Sequence, residues 1–160
     1  ARDYMAESNV SDWELDGADF LAFLDGQYNL NKKQINSPSN NGVFFADSDA
    51  LVTKMYAEYY ALDKTCSLSY EEYEKIAVVA NELTRKSRWD KIYLLCPKGK
   101  FVDDHTRYMA HSGMQERQEL FDILCKNIKE CGLWDKVTIL NYGYYGNFVK
   151  IVNDIKELTK

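Results

Sequence analysis

The sequence predicts an α/β fold, a parallel sheet with flanking helices, on three observations. Three short runs rich in β-branched and aromatic residues, VFFA (43–46), KIYLLC (91–96) and KVTIL (136–140), are almost continuously apolar. That is the pattern of strands covered on both faces. The stretches between them repeat apolar residues at helical spacing, and strand and helix alternate in the order that crossover connections require.

Taken from the N-terminus, residues 1–35 read as helical throughout, with Phe20, Phe23, Leu24, Gln27 and Leu30 along one side. The loop NKKQINSPSNNG (31–42) follows, and Ser37-Pro38 forces a non-helical turn ahead of VFFA. Residues 50–61 carry Leu51, Val52, Met55, Tyr56 and Tyr59 at helical spacing; residues 70–86 carry Tyr73, Ile76, Ala77, Ala80 and Leu83. Ser69 followed by Glu72 is a capping-box start for the second of these. Residues 115–131 place Leu120, Phe121, Leu124 and Ile128 on one face and stop before Gly132, as a helix C-terminus often does. The last helix, 146–158, repeats the theme with Phe148, Ile151, Val152, Ile155 and Leu158. Three strands make a narrow sheet for 160 residues, since doubly wound parallel sheets usually carry about five. Either a strand hides elsewhere or the chain begins partway into its fold.

Composition bounds the function. At 46% hydrophobic and 28% charged, the 160 residues suit one domain with a substantial core. The net charge of -5 gives no basic field to attract nucleic acid or an anionic membrane. No apolar run reaches the roughly 20 residues of a membrane span, and ARDYMAESN is no signal peptide, so a cytoplasmic protein is expected. Cys66, Cys96, Cys125 and Cys131 lack C-x-x-C spacing and read as reduced thiols.

Two constellations can carry chemistry. Asp47 and Asp49 follow VFFA, and ligands of open α/β sheets bind beyond the carboxyl ends of the strands. A carboxylate there can hold a hydrated Mg²⁺ that bridges phosphates, or take the proton of an attacking hydroxyl. The alternative for Asp49 is to cap the helix that follows. The second constellation is the polar region of about 97–118, with Lys98, Lys100, Arg107 and Arg117 near Asp103 and Asp104. It is either a lid whose arginines close over phosphate oxygens or a solvated loop with ordinary ion pairs. His105 and His111 lack metal-ligand spacing. Asp19, Asp25 and Gln27 project from the early helical region, and Trp13, Tyr28 or Tyr56 can stack on a planar ring or pack in the core. Neither G-x-x-x-x-G-K-[ST] nor G-x-G-x-x-G occurs within the 160 residues. G-x-S-x-G and a Cys-His nucleophile pair are missing as well.

Five stretches together are more specific than any one of them: ARDYM (1–5), DGADFLAFLDGQY (16–28), INSPSNNGVFFADSDALVTKMYAEYY (35–60), FVDDHTRYM with ERQELF (101–121), and GLWDKVTIL (132–140). In this order they resemble the C-terminal ribosylnicotinamide kinase domain of NadR-type proteins, over nearly the whole chain. The resemblance implies a P-loop kinase fold and transfer of phosphate from Mg²⁺-ATP to nicotinamide riboside in NAD synthesis. It also implies an adenylyltransferase domain in front. In that family the phosphate-binding loop precedes the A-R-[DE]-Y motif, which is where this chain starts. The expectation is therefore a kinase domain without its N-terminal portion, inactive alone and prone to self-association through exposed sheet edges. By the resemblance, Asp47 and Asp49 lie near Mg²⁺ and the riboside hydroxyl, Arg107 and Arg117 belong to the lid, and Arg2, Tyr4 and Gln27 border the nucleoside pocket; Tyr56 is the stacking candidate for substrate. The alternatives are an NAD-sensing regulatory module and a non-catalytic interaction surface.

Overall fold

The computed structural model describes residues 10–63, 66–98 and 113–159. Arg2, Tyr4, Arg107 and residues 99–112 of the expected lid lie outside the described residues. Among the described residues five α-helices and two strands follow in order: α1 (Gly17–Ile35), α2 (Ala50–Leu62), α3 (Tyr70–Ser87), β1 (Ile92–Leu95), α4 (Met114–Glu130), β2 (Val137–Leu140) and α5 (Tyr144–Leu158). The strands pair in parallel, Ile92 opposite Val137 through Leu95 opposite Leu140, with α4 as the crossover between them. The fold is thus α/β with a parallel sheet, as the run pattern predicts, but helix-rich and, among the described residues, with two paired strands rather than three.

Two expectations are corrected. Val43–Ala46 forms no ladder among the described residues; a run of β-formers has strand propensity, but a strand needs a neighbour about 4.8 Å away to take its backbone groups. Phe44 instead stacks on Trp89, and Phe45 is exposed. The early region is not helical throughout either. A short 3₁₀ turn, Asp12–Glu14, precedes α1, and Asp16 starts the helix by accepting from the amides of Ala18 (2.8 Å) and Asp19 (3.1 Å). Asp19 returns a carboxylate oxygen to the Asp16 amide at 3.0 Å, so this acidic residue serves the cap.

The other helix signals hold. Ser69 and Glu72 form the expected capping box, and the same Glu72 accepts from the Gly17 amide at 3.3 Å, tying the start of α3 to the start of α1. A Cβ at Gly17 would come within 3.1 Å of the Glu72 side chain, so glycine permits this approach. Gly132 takes φ +70 just beyond α4, the left-handed stop that glycine adopts without strain. Phe20 and Leu24 of α1, Ala57 and Tyr60 of α2, and Tyr73, Ile76 and Ala80 of α3 close one core. Leu51, Leu94 and Ile128 close a second, between α2, the sheet and α4. Leu30, expected on the apolar side of α1, is exposed, as are Phe148 and Leu158 of α5. Leu95 (68% exposed) and Ile139 (41%) leave apolar surface on the sheet. No described helix is long and apolar enough to cross a membrane.

The seam of α2 against α3 and α4 is polar at its centre. Glu58 is buried and accepts from the Tyr73 hydroxyl (3.0 Å), Asn127 Nδ2 (3.2 Å) and Lys126 Nζ (2.6 Å). One turn earlier, Lys54 is buried with Nζ on Asn81 Oδ1 (3.2 Å) and near Glu130 (3.5 Å). Burial pushes the Glu58 carboxyl upward, but Lys126, Tyr73 and Asn127 outweigh it and hold it below its ordinary value. A depressed carboxylate stabilises the fold above its unfolded pKa and loses that contribution as pH falls through the folded one. Glu58→Gln therefore destabilises by about 1.5–3 kcal/mol at pH 7. In urea titrations repeated at falling pH, the gap between parent and variant should narrow once the pH passes below the ordinary value of 4.5.

Candidate acceptor site

The acidic pair is built from the helix behind it. Asp49 is the N-cap of α2, with extended backbone and Oδ1 accepting from the amides of Leu51 (3.0 Å) and Val52 (3.4 Å). Those amides begin a helix and have no partner within it, so a carboxylate one step earlier is favoured by hydrogen bonding and by the helix dipole. The other oxygen, Oδ2, accepts from the Trp89 indole Nε1 at 2.6 Å. Burial raises the Asp49 carboxyl, and the bonds from Trp89, Leu51 and Val52 pull downward without cancelling that effect. The capping alternative for Asp49 is thus realised in the structure. Asp47, two residues earlier, is exposed.

Trp89 reaches Asp49 because α3 ends abruptly. Arg88 turns left-handed at φ 52, and the chain doubles back so that the indole lies against Phe44 (centroids 6.3 Å apart, planes 18° from parallel). Lys136 Nζ bonds the Trp89 carbonyl at 2.7 Å. The indole also helps to line an open cleft with Tyr28, Asn31, Lys32 and Ile35 of α1, Asn36, and Lys86 and Ser87 of α3. Aromatic walls with a few amides and cations are the lining that suits a planar, polar ligand. Lys86 is partnered by Glu82 at 2.6 Å.

The sequence-predicted residues divide accordingly. Gln27 does not line the cleft directly; its Nε2 donates to Asn31 Oδ1 at 2.9 Å, which orients a buried residue that does. Tyr28, weighed as a stacking residue, is in the wall. Tyr56 lies elsewhere, half-buried and stacked on Tyr60 among the core residues of α2. Arg117 sits in the first turn of α4, with Nη2 3.8 Å from Met114 Sδ. Among the described residues no group of three or more His, Cys, Asp or Glu side chains is gathered to hold a metal ion. Trp89, Asn31 and the buried pair Lys54 and Glu58 were missed by sequence reasoning. For the buried pair a signal exists: both fall three and seven residues after Leu51, on the apolar stripe itself.

Fold and site together define a parallel α/β domain of the P-loop kinase type. Residues 1–145 match the profile of the AAA domain family, and the chain belongs to that family. It is similar to a NadR protein solved in complex with NR, at 32% identity and TM-score 0.72, over 89% of this chain and 35% of that one. It is also similar to a NadR protein solved with NAD and AMP-PNP, at 29% identity and TM-score 0.78, over 98% of this chain and 39% of that one. The expected resemblance to NadR-type proteins thus holds along nearly the whole chain, which spans little more than a third of the length of those proteins. No curated protein matches it.

The geometry separates the two aspartates experimentally. Asp49→Asn keeps an oxygen for the α2 amides but turns an amide donor toward the Trp89 N–H, and should cost about 1–3 kcal/mol in urea unfolding. Asp47→Asn, at an exposed position, should stay within about 0.5 kcal/mol of the parent.

Proposed function

We propose that this chain is the acceptor-binding and lid portion of a kinase that transfers the terminal phosphate of ATP to nicotinamide riboside, forming the mononucleotide used in NAD synthesis. The observation that carries the reading is the likeness, over nearly all its residues, to NadR proteins solved with NR and with an ATP analogue. The aromatic cleft supports it, because one hydrogen bond through Trp89 links its wall to the acidic pair.

In this reading Tyr28 and Trp89 flank the planar base, Asn31 offers its amide to polar edges, and Gln27 holds Asn31 in orientation. Asp47 takes the proton of the attacking riboside hydroxyl. Its exposed carboxylate also fits Mg²⁺, a hard cation that is usually held by one or two carboxylates together with waters and substrate phosphates. When bound, Mg²⁺ neutralises charge on the transferring phosphate. Arg107 and Arg117 are the lid cations for the phosphate oxygens, a task suited to a planar fork of donors. Arg2 and Tyr4 complete the nucleoside pocket, while Tyr56, packed on Tyr60 in the core, supports α2 rather than the substrate. The ATP phosphates are gripped by a glycine-rich loop outside residues 1–160, the reaction takes place in the cytoplasm, and an adenylyltransferase domain accompanies the kinase.

Phosphotransfer from Mg²⁺-ATP to nicotinamide riboside is measured on the 160-residue chain and on a chain extended upstream to include such a loop. Turnover in the extended chain alone is expected. Activity in neither, with calorimetry that detects NAD but not riboside binding, would favour an NAD-sensing module instead. Within the active chain, Asp47→Asn should lower turnover by roughly 100-fold or more. A loss of only a few-fold would remove Asp47 from the chemistry. Arg107→Ala should slow transfer far more than it changes the unfolding midpoint.

A further inference from the structure

We propose that Trp89 is a positioning residue for the acidic pair: one indole clamps residues 44–49 at both ends, so that Asp49 serves as a fixed post and Asp47 is presented as the reacting carboxylate. As to chemistry, the inference rests on the kinase reading above; as to geometry, it stands on contacts of this chain.

The segment 43–49 has no sheet neighbour among the described residues to hold it. Trp89 takes that place. Its ring stacks on Phe44 at one end, and its N–H binds Asp49 Oδ2 at 2.6 Å at the other, with Asp47 between the two contacts. Asp49 is engaged through both oxygens, by the α2 amides and by the indole. A cation or proton that displaced the indole would leave a half-buried N–H without its acceptor, which opposes the use of Asp49 as the reacting group. Asp47 is exposed and, among the described residues, carries no such obligation. Trp89 is itself held from several sides. Lys136 fixes its carbonyl, and Arg88 accepts a left-handed conformation immediately before it. A non-glycine residue in that region costs about 1 kcal/mol or more, and it persists where surrounding contacts over-determine the backbone.

Trp89→Phe keeps a ring to stack on Phe44 and removes the N–H, together with part of the indole's aromatic surface. In ¹⁵N–¹H correlation spectra of the chain, the amide resonances of Ala46, Asp47 and Ser48 should then move together with those of Leu51 and Val52. Changes confined to residues next to position 89 would overturn the clamp. Should Trp89→Phe fail to fold, Asp49→Ser gives the same readout, since it keeps a cap oxygen and removes the acceptor of the indole. In the extended, active chain, Trp89→Phe should lower kcat about tenfold, while KM for the riboside, whose base the retained ring still flanks, stays within about twofold. Asp49→Ser should do the same, and the double variant should be no worse than the poorer single, as for two residues acting through one contact. Additive losses, or a rise in KM alone, would reduce Trp89 to a wall of the cleft. If the parent transfers no phosphate to the riboside, the kinase reading fails, and the amide shifts still decide whether the clamp exists.

Discussion

Glu58 accepts hydrogen bonds from three donors on two neighbouring helices, Tyr73 on α3 and Lys126 and Asn127 on α4, and the seating of α2 depends on that convergence. A carboxylate taken out of water without partners is costly, whereas one met by a cation and two neutral donors is tolerated and imposes direction on the elements that carry them. Lys54 adds a second polar contact one turn away, through Asn81 of α3 and Glu130 of α4. Apolar contacts around this line, Met55 with Leu120 and Leu51 with Ile128, supply burial but little directionality. The polar seam sets the register in which α3 and α4 lie on α2.

The site inherits its precision from the same helix. Once α2 is fixed, its first amides are fixed, and they locate Asp49; Asp49 in turn locates the Trp89 indole. Two distant segments, 43–49 and 88–89, are brought together by a short chain of contacts rather than by a sheet. The cleft beside Trp89 uses residues one helical turn apart on α1, Tyr28, Asn31, Lys32 and Ile35, so its wall is as rigid as the helix. Basic side chains in the last turns of α1 and α3 favour both helix C-termini, and two of them, Lys32 and Lys86, line the cleft.

Much of this was legible beforehand. Ser69 and Glu72 announced the start of α3, Gly132 marked the end of α4, and the spacing of Leu120, Phe121, Leu124 and Ile128 named its buried side. These are local signals, set by orphan amides, by glycine's conformational freedom and by the helical repeat. Asp49 was legible as an alternative only, because a carboxylate before a helix is both a cap and a ligand candidate on sequence grounds. VFFA was misjudged for the opposite reason: its local propensity is strong, but pairing is decided by whether a neighbour arrives.

By itself, then, the sequence determined α2 to α5 to within about two residues, the parallel α/β class, and the acidic character of the segment that follows VFFA, since each depends on residues within a few positions of one another. Tertiary structure decided the rest. The partnership of Trp89 with Asp49 spans 40 residues, and that of Glu58 with Asn127 spans 69. No periodicity encodes such pairs, because they exist only where packing brings a donor to within hydrogen-bonding distance of an acceptor that water has left.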